Sequence, residues 1–377
     1  MQRQQQLTLW LKSLFPNEPF TIAPASADAS FRRYFRVTFE SNVAINEPAN
    51  RREQLEMQGA AQRAPTHTHS VGEGQASMQH SGSNAQQVCT LIVMDAPPQY
   101  EDCRPFLHVA NLFEAAGVHV PRVYAQDLSQ GFLLLSDLGN TTYLQALTAA
   151  NAHELYRAAT DALIKIQLAT REKELPAYDE ALLLREMRLF PEWYIAKHLK
   201  ATLSEAQNAK LETVFARIIA NNLAQPHVYV HRDYHSRNLM NTEPNPGIID
   251  FQDAVYGPIT YDLASLFKDA YIHWEEAQVI DWLIRYWEKA RKAGLPVQDD
   301  FSLFYRDYEW MAVQRHLKVL GIFARLYHRD GKDGYLKELP LVMAYLRAAC
   351  VRYIDLKPLL NLLDTLEPKN YTEGYTF

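Results

Sequence analysis

The chain has 377 residues, of which 47% are hydrophobic, and carries a formal net charge of -6 at pH 7 with a pI near 6.1. That length suits two or three domains or one two-lobed enzyme, and the mild acidity argues against non-specific nucleic-acid binding, which needs a basic face. No run approaches the roughly 18 uninterrupted apolar residues of a membrane span. Cys89, Cys103 and Cys350 are too scattered for a disulfide framework or a zinc site, so a soluble cytoplasmic protein is expected.

The opening MQRQQQLTLWLKSLF lacks the apolar middle and cleavage site of a secretory leader; its Leu7, Trp10, Leu11, Leu14 and Phe15 share one helical face instead. Three strand signals follow: FRRYFRVTF (31–39), CTLIVMDAP (89–97) and GFLLLSDLG (131–139). Between the first two, residues 41–87 lose apolar residues and gain Gln, Ser, Gly, His and Asn. Such a segment cannot bury enough surface to offset its ordering entropy, and it reads as a mobile insertion joining two antiparallel strands. Its His67, His69 and His80 lack partner ligands at metal spacing. CRPFLHVANLFEAAG (103–117) has helical apolar spacing and a glycine stop. Beyond Gly139 helical periods dominate, over about 152–169, 179–200, 204–223, 275–293, 299–329 and 337–350, interrupted by the strand-like VYVH and GIIDF. The sum is an α+β protein with a smaller β-rich N-terminal lobe and a larger, mostly helical C-terminal lobe.

One stretch, VYVHRDYHSRNLM (228–240), packs polar residues directly behind an apolar strand. His231-Arg232-Asp233 followed by Asn238 matches the H-R-D-x-x-x-x-N catalytic loop of protein kinases, and Asp250 in IIDF follows Asn238 by twelve residues. Phosphoryl transfer needs these groups at this spacing. Asp233 accepts the proton of the attacking hydroxyl, and Asn238 and Asp250 hold the Mg²⁺ that bridges the phosphates of ATP. Loops with Asp, Asn and His are common, but the joint match with two flanking strands is rare by chance. Two rival readings use the same residues: a metal-dependent hydrolase with His231, Asp233, His235 and Asp250 as ligands, and a nucleotide-binding pseudokinase.

The segments VHRDYHSRNLM and PGIIDFQDAVYGPITYDLASL resemble the aminoglycoside phosphotransferase family, in which a Gly-Pro pair (Gly257-Pro258) and an Asp-Leu-Ala (Asp262 to Ala264) follow the metal-binding Asp. The resemblance implies a two-lobed protein-kinase-like fold and ATP-dependent phosphorylation of a small hydroxylated molecule. It implies an N-lobe over residues 1–137 that binds nucleotide and a C-lobe over 138–377 that carries the catalytic loop and the acceptor. It also makes His231 a residue that shapes the catalytic loop and Asp262 an acid that buttresses it. Within the family, SADASFRRYFR, VMDAPP, LFPEWY, DFQDAVYGP and RHLKVLGIFARL are similar to bacterial kinases of cell-wall recycling. Those act on the anomeric C1 hydroxyl of the amino sugars N-acetylmuramate and N-acetylglucosamine. That implies an α-1-phosphate passed to a uridylyltransferase; another small hydroxylated acceptor is the alternative.

The nucleotide side departs from the kinase pattern. Residues 26–31 read Ser-Ala-Asp-Ala-Ser-Phe where a glycine-rich loop is expected, leaving Ser30 and Phe31 as candidates, and Met94 stands near the place of the phosphate-pairing Lys. Arg32 or Arg33 is a candidate for that charge, with Glu101 a possible partner and a solvated strand face the bland reading. Leu135 and Asp137, at the end of GFLLLSDLG, are expected beside the adenine. For the acceptor, Glu192, Trp193 and Tyr194 offer an aromatic and polar wall, although Trp193 at helical spacing also suits a core. Arg315 is a candidate to clamp the lactyl carboxylate of N-acetylmuramate, or else a helix-packing ion pair.

Overall fold

The computed structural model describes residues 2–27, 31–45 and 86–367. Ser30, the three histidines of the insertion and most of 41–87 lie outside the described residues. The chain divides into two compact units, Met1–Asn111 with Val120–Gly139, and Leu112–His119 with Asn140–Phe377.

In the first unit a helix, Gln2–Leu14, precedes strands β1 (Phe20–Ala27), β2 (Arg33–Ile45), β3 (Gln86–Asp95), β4 (Val123–Asp127) and β5 (Phe132–Ser136). They form one antiparallel sheet in the order β1-β2-β3-β5-β4. Strand side chains alternate between faces, and the pairs Val37↔Leu91 and Val93↔Leu134 fix which residues share one. Val37, Phe39, Leu91, Val93, Phe132 and Leu134 face the helix, where Leu7 and Leu11 complete a buried core. Trp10 lies 5.5 Å from the Phe132 ring and Phe15 4.9 Å from Phe39, whereas Leu14 of the expected apolar stripe is 37% exposed. Residues 41–45 and 86–87 belong to strands rather than to the insertion, with Ile45 opposite Gln86. The physical reason is local: Val43 and Ile45 alternate into the core.

The second unit is mostly helical. The period expected over 179–200 is broken into a helix, Glu180–Met187, and a π-helix, Phe190–His198. Pro191 has no N–H to continue an α-helical ladder, which places the break there. The long helix Phe301–Asp330 starts on the Asp300 side chain and ends at Gly331, whose φ of 66° suits a residue without Cβ. It passes so close to the π-helix entry that a Cβ on Gly321 would lie 2.4 Å from the Leu189 backbone. Two antiparallel ribbons complete the unit: β6 (His227–Val230) with β9 (Val255–Pro258), and β7 (Leu239–Met240) with β8 (Gly247–Ile248). The GIIDF strand therefore stops at Ile248, and Asp250 sits on the loop beyond. Helix Tyr261–Phe267 has all seven residues buried, so it shows no amphipathic period to read; the C-terminal helix Lys357–Leu366 was also not anticipated. No helix among the described residues is long and apolar enough to cross a membrane.

Candidate active site

Strand β6 runs into the catalytic loop at His231. Asp262, in the first turn of the buried helix Tyr261–Phe267, accepts the backbone N–H groups of His231 (2.7 Å) and Arg232 (3.0 Å) with its two carboxylate oxygens. Burial pushes the Asp262 carboxyl up to about 7 against those two donors. His231 is fully buried, and burial lowers its pKa to about 4. Its Nδ1 accepts the Asp233 backbone N–H at 3.2 Å, so the ring proton sits on Nε2 and is donated to the Ile249 carbonyl at 3.0 Å. Both ring nitrogens are thereby used in shaping the loop, which removes His231 from the ligand set of the hydrolase reading. Arg232 adopts a left-handed conformation with φ 74°, a strain of about 1–3 kcal/mol that the surrounding bonds must offset.

Those bonds converge from distant segments. The Arg232 guanidinium ion-pairs with the buried Glu186 and donates to the Asp253 carbonyl at 3.3 Å. Glu186 also meets Lys318 at 3.1 Å, accepts from Gln314 at 3.1 Å, and accepts the Tyr178 hydroxyl. Burial works to raise the Glu186 carboxyl, but Lys318 and Arg232 outweigh it and hold the pKa down to about 2. Gly257 of the Gly-Pro pair lies against this group; a Cβ there would fall 2.8 Å from Tyr178 Cβ.

Asp233 keeps 40% of its side chain accessible while Arg315, only 7% exposed, approaches it at 3.6 Å. Burial opposes ionisation of Asp233, yet Lys318 and Arg315 hold its carboxyl well below the usual carboxylate range. Arg315 further donates to the Arg232 carbonyl at 2.7 Å and to the Tyr261 hydroxyl at 3.4 Å. Both donations leave from NH1, so this edge of the guanidinium is engaged with the loop, as the alternative reading of Arg315 as a packing residue expects.

Asn238 and Asp250 are brought together. Asn238 Nδ2 donates to the Asp233 carbonyl at 3.0 Å and to Asp250 Oδ2 at 3.3 Å, and the Asn238 carbonyl accepts from Ile249 N at 3.1 Å. Gln252, in the position of the kinase DFG glycine, donates to Asp250 Oδ1 at 2.9 Å, and Asp250 itself has φ 63°. An amide oxygen and a carboxylate are hard ligands, and two such groups completed by substrate phosphates fit Mg²⁺. Among the described residues no group of three or more His, Cys, Asp or Glu could hold a metal ion, so a site made wholly of such side chains is not built here.

In the first unit, strand register separates the candidates. Met94 pairs with Tyr34 and Leu133, and Leu135 with Ile92, which itself pairs with Arg36. Met94 and Leu135 therefore face away from the helix, together with Arg36. Arg33 points to the helix face, where it and Arg3 bind the buried Asp95. Arg36, which sequence reading passed over, holds Asp137 through Nε at 2.6 Å and NH2 at 2.9 Å; burial would raise the Asp137 carboxyl, but Arg36 keeps it lowered. Phe31 is exposed, stacks on Tyr100 at 4.7 Å and donates its N–H to Glu101 at 3.2 Å. Arg32 is half-buried just before β2.

The three residues expected as the acceptor wall lie together in the π-helix Phe190–His198. Glu192 is exposed and Trp193 half-buried. Tyr194 is buried, donates to Glu367 at 2.8 Å, and lines a cavity of about 820 Å³ with Leu336, Met343 and Arg347. No catalytic-loop residue lines that cavity. Glu186 and Tyr178 were the groups sequence reading missed. Gln314, Arg315 and Lys318 fall within the helical period expected over 299–329, but nothing in the sequence pointed that helix at Glu186.

A catalytic loop with an ionised, accessible aspartate beside an Asn–Asp pair defines a phosphotransferase, and the comparisons agree. The phosphotransferase enzyme family matches residues 72–297, more than half of the chain, which belongs to that family. It is 46% identical over 374 residues to an N-acetylmuramate/N-acetylglucosamine kinase of Pseudomonas aeruginosa, covering 97% of each chain. It is 44% identical over 382 residues to the protein of that name in Neisseria meningitidis, covering 100% of each. The fold is that of protein-kinase-like enzymes. An ADP-bound aminoglycoside phosphotransferase superposes with TM-score 0.52 at 13% identity, covering 90% of this chain and 96% of its own. A choline kinase from Cryptosporidium parvum gives 0.54 at 11% identity, covering 91% and 93%.

Proposed function

We propose that this chain transfers the γ-phosphoryl group of ATP to the anomeric C1 hydroxyl of N-acetylmuramate or N-acetylglucosamine, giving the α-1-phosphate. The observation that carries the reading is Asp233: accessible, ionised under Lys318 and Arg315, and one loop away from the Asn238–Asp250 pair. The choice of acceptor rests on the names of the similar kinases.

Asp233 accepts a hydrogen bond from the C1 hydroxyl and orients its oxygen in line with the γ-phosphorus. The new O–P bond forms as the bond to the β,γ-bridging oxygen breaks, and the hydroxyl proton passes to Asp233. A carboxylate of depressed pKa is a weak equilibrium base, but a loose transition state needs that proton only late, so orientation is the main contribution. Mg²⁺ at Asn238 and Asp250, when bound, supplies neutralisation of charge on the phosphate oxygens. His231 and Asp262 keep the loop in shape, and Arg315 fixes the Arg232 carbonyl immediately before Asp233. For the nucleotide we assign the sheet face of Met94, Leu135 and Arg36, with Asp137 orienting Arg36, and the exposed Phe31 on the phosphate side. The α-1-phosphate is the form a uridylyltransferase converts to a UDP-sugar, and we place the reaction before such a step, in the cytoplasm where ATP is supplied.

The test is a ³¹P NMR assay with Mg-ATP and each free amino sugar. A new resonance coupled to the anomeric proton is expected. ADP formation without sugar phosphate would move the acceptor to another small hydroxylated molecule, and no turnover with retained ATP binding would make the chain a pseudokinase.

A further inference from the structure

The catalytic loop carries a second arginine whose role the phosphoryl-transfer chemistry does not use. Arg237 stands between Asp233 and Asn238, half-buried. Its guanidinium lies 3.7 Å from the centroid of the Tyr271 ring and 5.7 Å from that of Tyr335. The tyrosines are themselves fixed. Tyr271 packs on Phe323 at 6.1 Å, Tyr335 packs on Phe323 at 5.1 Å, and the Tyr271 N–H donates to the buried Asp269 at 3.1 Å. The other carboxylate oxygen of Asp269 accepts the Ser236 N–H at 2.9 Å, so the residue preceding Arg237 is pinned by the same acid.

The neighbouring cations are spoken for. Arg232 and Lys318 share Glu186, and Arg315 faces Asp233 and the Arg232 carbonyl. Arg237 has no ion pair with a carboxylate among the described residues. A guanidinium stacked on aromatic rings keeps its in-plane N–H donors directed outward and has already given up much of its side-chain freedom. Such a group binds a planar anion through two parallel hydrogen bonds. His235, two residues after Asp233, approaches the same Tyr271 ring at 5.5 Å, so one aromatic ring touches the loop on both sides of Ser236.

We infer that Arg237 is the carboxylate-recognising residue of the acceptor site and favours N-acetylmuramate, whose lactyl carboxylate hangs from C3, over N-acetylglucosamine, which has only a hydroxyl there. The inference rests on the amino-sugar reading above. It transfers to Arg237 the role that the sequence suggested for Arg315.

The experiment is steady-state kinetics with N-acetylmuramate, its methyl ester and N-acetylglucosamine, on the full chain and on Arg237→Met and Arg237→Lys. The ratio of kcat/KM for N-acetylmuramate to that for N-acetylglucosamine should fall roughly 10- to 100-fold in Arg237→Met, the range for loss of hydrogen bonds between charged groups. The change should lie mainly in KM for N-acetylmuramate and be smaller in Arg237→Lys. Parallel losses on both sugars would reduce Arg237 to a brace of the loop and overturn the inference. So would equal use of the free acid and the methyl ester by the unmodified protein, a result that does not depend on any variant folding. Unmodified protein that phosphorylates neither sugar would overturn the amino-sugar reading itself.

Discussion

Arg232 ion-pairs with Glu186, a buried carboxylate 46 positions upstream, while its own backbone is held at φ 74°. The pair joins the loop that carries Asp233 to the helix Glu180–Met187, and Lys318 brings the long helix to the same carboxylate. The strained residue beside Asp233 is thus fixed from two directions, through a buried carboxylate outside the loop.

Removing that charge leaves Arg232 and Lys318 buried without their partner. Glu186→Gln is expected to cost about 3–5 kcal/mol, the range for breaking a buried ion pair by loss of one member, read by chemical denaturation. A loss below about 1 kcal/mol, the worth of a surface pair, would show that water reaches the cluster.

Asp233→Asn preserves shape and hydrogen bonding but removes the proton acceptor. A kcat reduced about 10²- to 10⁴-fold is expected, with ADP affinity by calorimetry little altered. Turnover at the unmodified rate would dismiss Asp233 from its role.

Gly321 and Gly334 form a matched pair. A Cβ at Gly321 meets Leu189 backbone at 2.4 Å, whereas one at Gly334 meets nothing within 4 Å. Gly321→Ala should destabilise by about 1–3 kcal/mol, as overpacking does, and Gly334→Ala should stay within about 0.5 kcal/mol of the parent. Thermal melts of the two variants compare them directly; equal melting temperatures would mean that the long helix shifts freely.

His316 lies under Tyr345 at 5.4 Å, near the Lys268 carbonyl, and burial with the Lys268 and Arg315 charges lowers its pKa to about 3. The unfolded chain takes up the histidine proton below about pH 6.5 while the folded chain does not, so the contribution is complete above that pH and falls as acid is added. Between pH 7 and pH 4 the parent should lose about 3 kcal/mol more stability than His316→Gln. Denaturant titrations at the two pH values measure the difference; parallel losses would show that His316 titrates normally.

The residues proposed for the reaction are contiguous enough to be read from the chain. His231 to Asn238 form one loop, Asp250 follows on the next, and strand and helix periods on either side place both in a fold of known order. Those signals are local: backbone geometry and spacing alone set which atoms meet within the loop. The apolar face of helix Gln2–Leu14 was legible too, because Leu7, Trp10 and Leu11 recur at helical spacing; that this face packs on the sheet came from the structure. Sequence reading misjudged the insertion by a few residues where Val43 and Ile45 reach the core, and it read 179–200 as one helical period although Pro191 lies inside it.

Only the tertiary structure decided which charge meets which. Arg36 and Asp137 are 101 positions apart, Arg315 and Arg232 83, Gln314 and Glu186 128. An arginine on an apolar helix looks the same in sequence whether it binds a substrate carboxylate or a backbone carbonyl. The difference lies in low-dielectric contacts, where an unpaired charge is too costly to leave and a partner must be found anywhere in the fold. That constraint ties Arg315, Lys318 and Arg232 to the loop and its supporting cluster, while Arg237 lies over the Tyr271 ring instead.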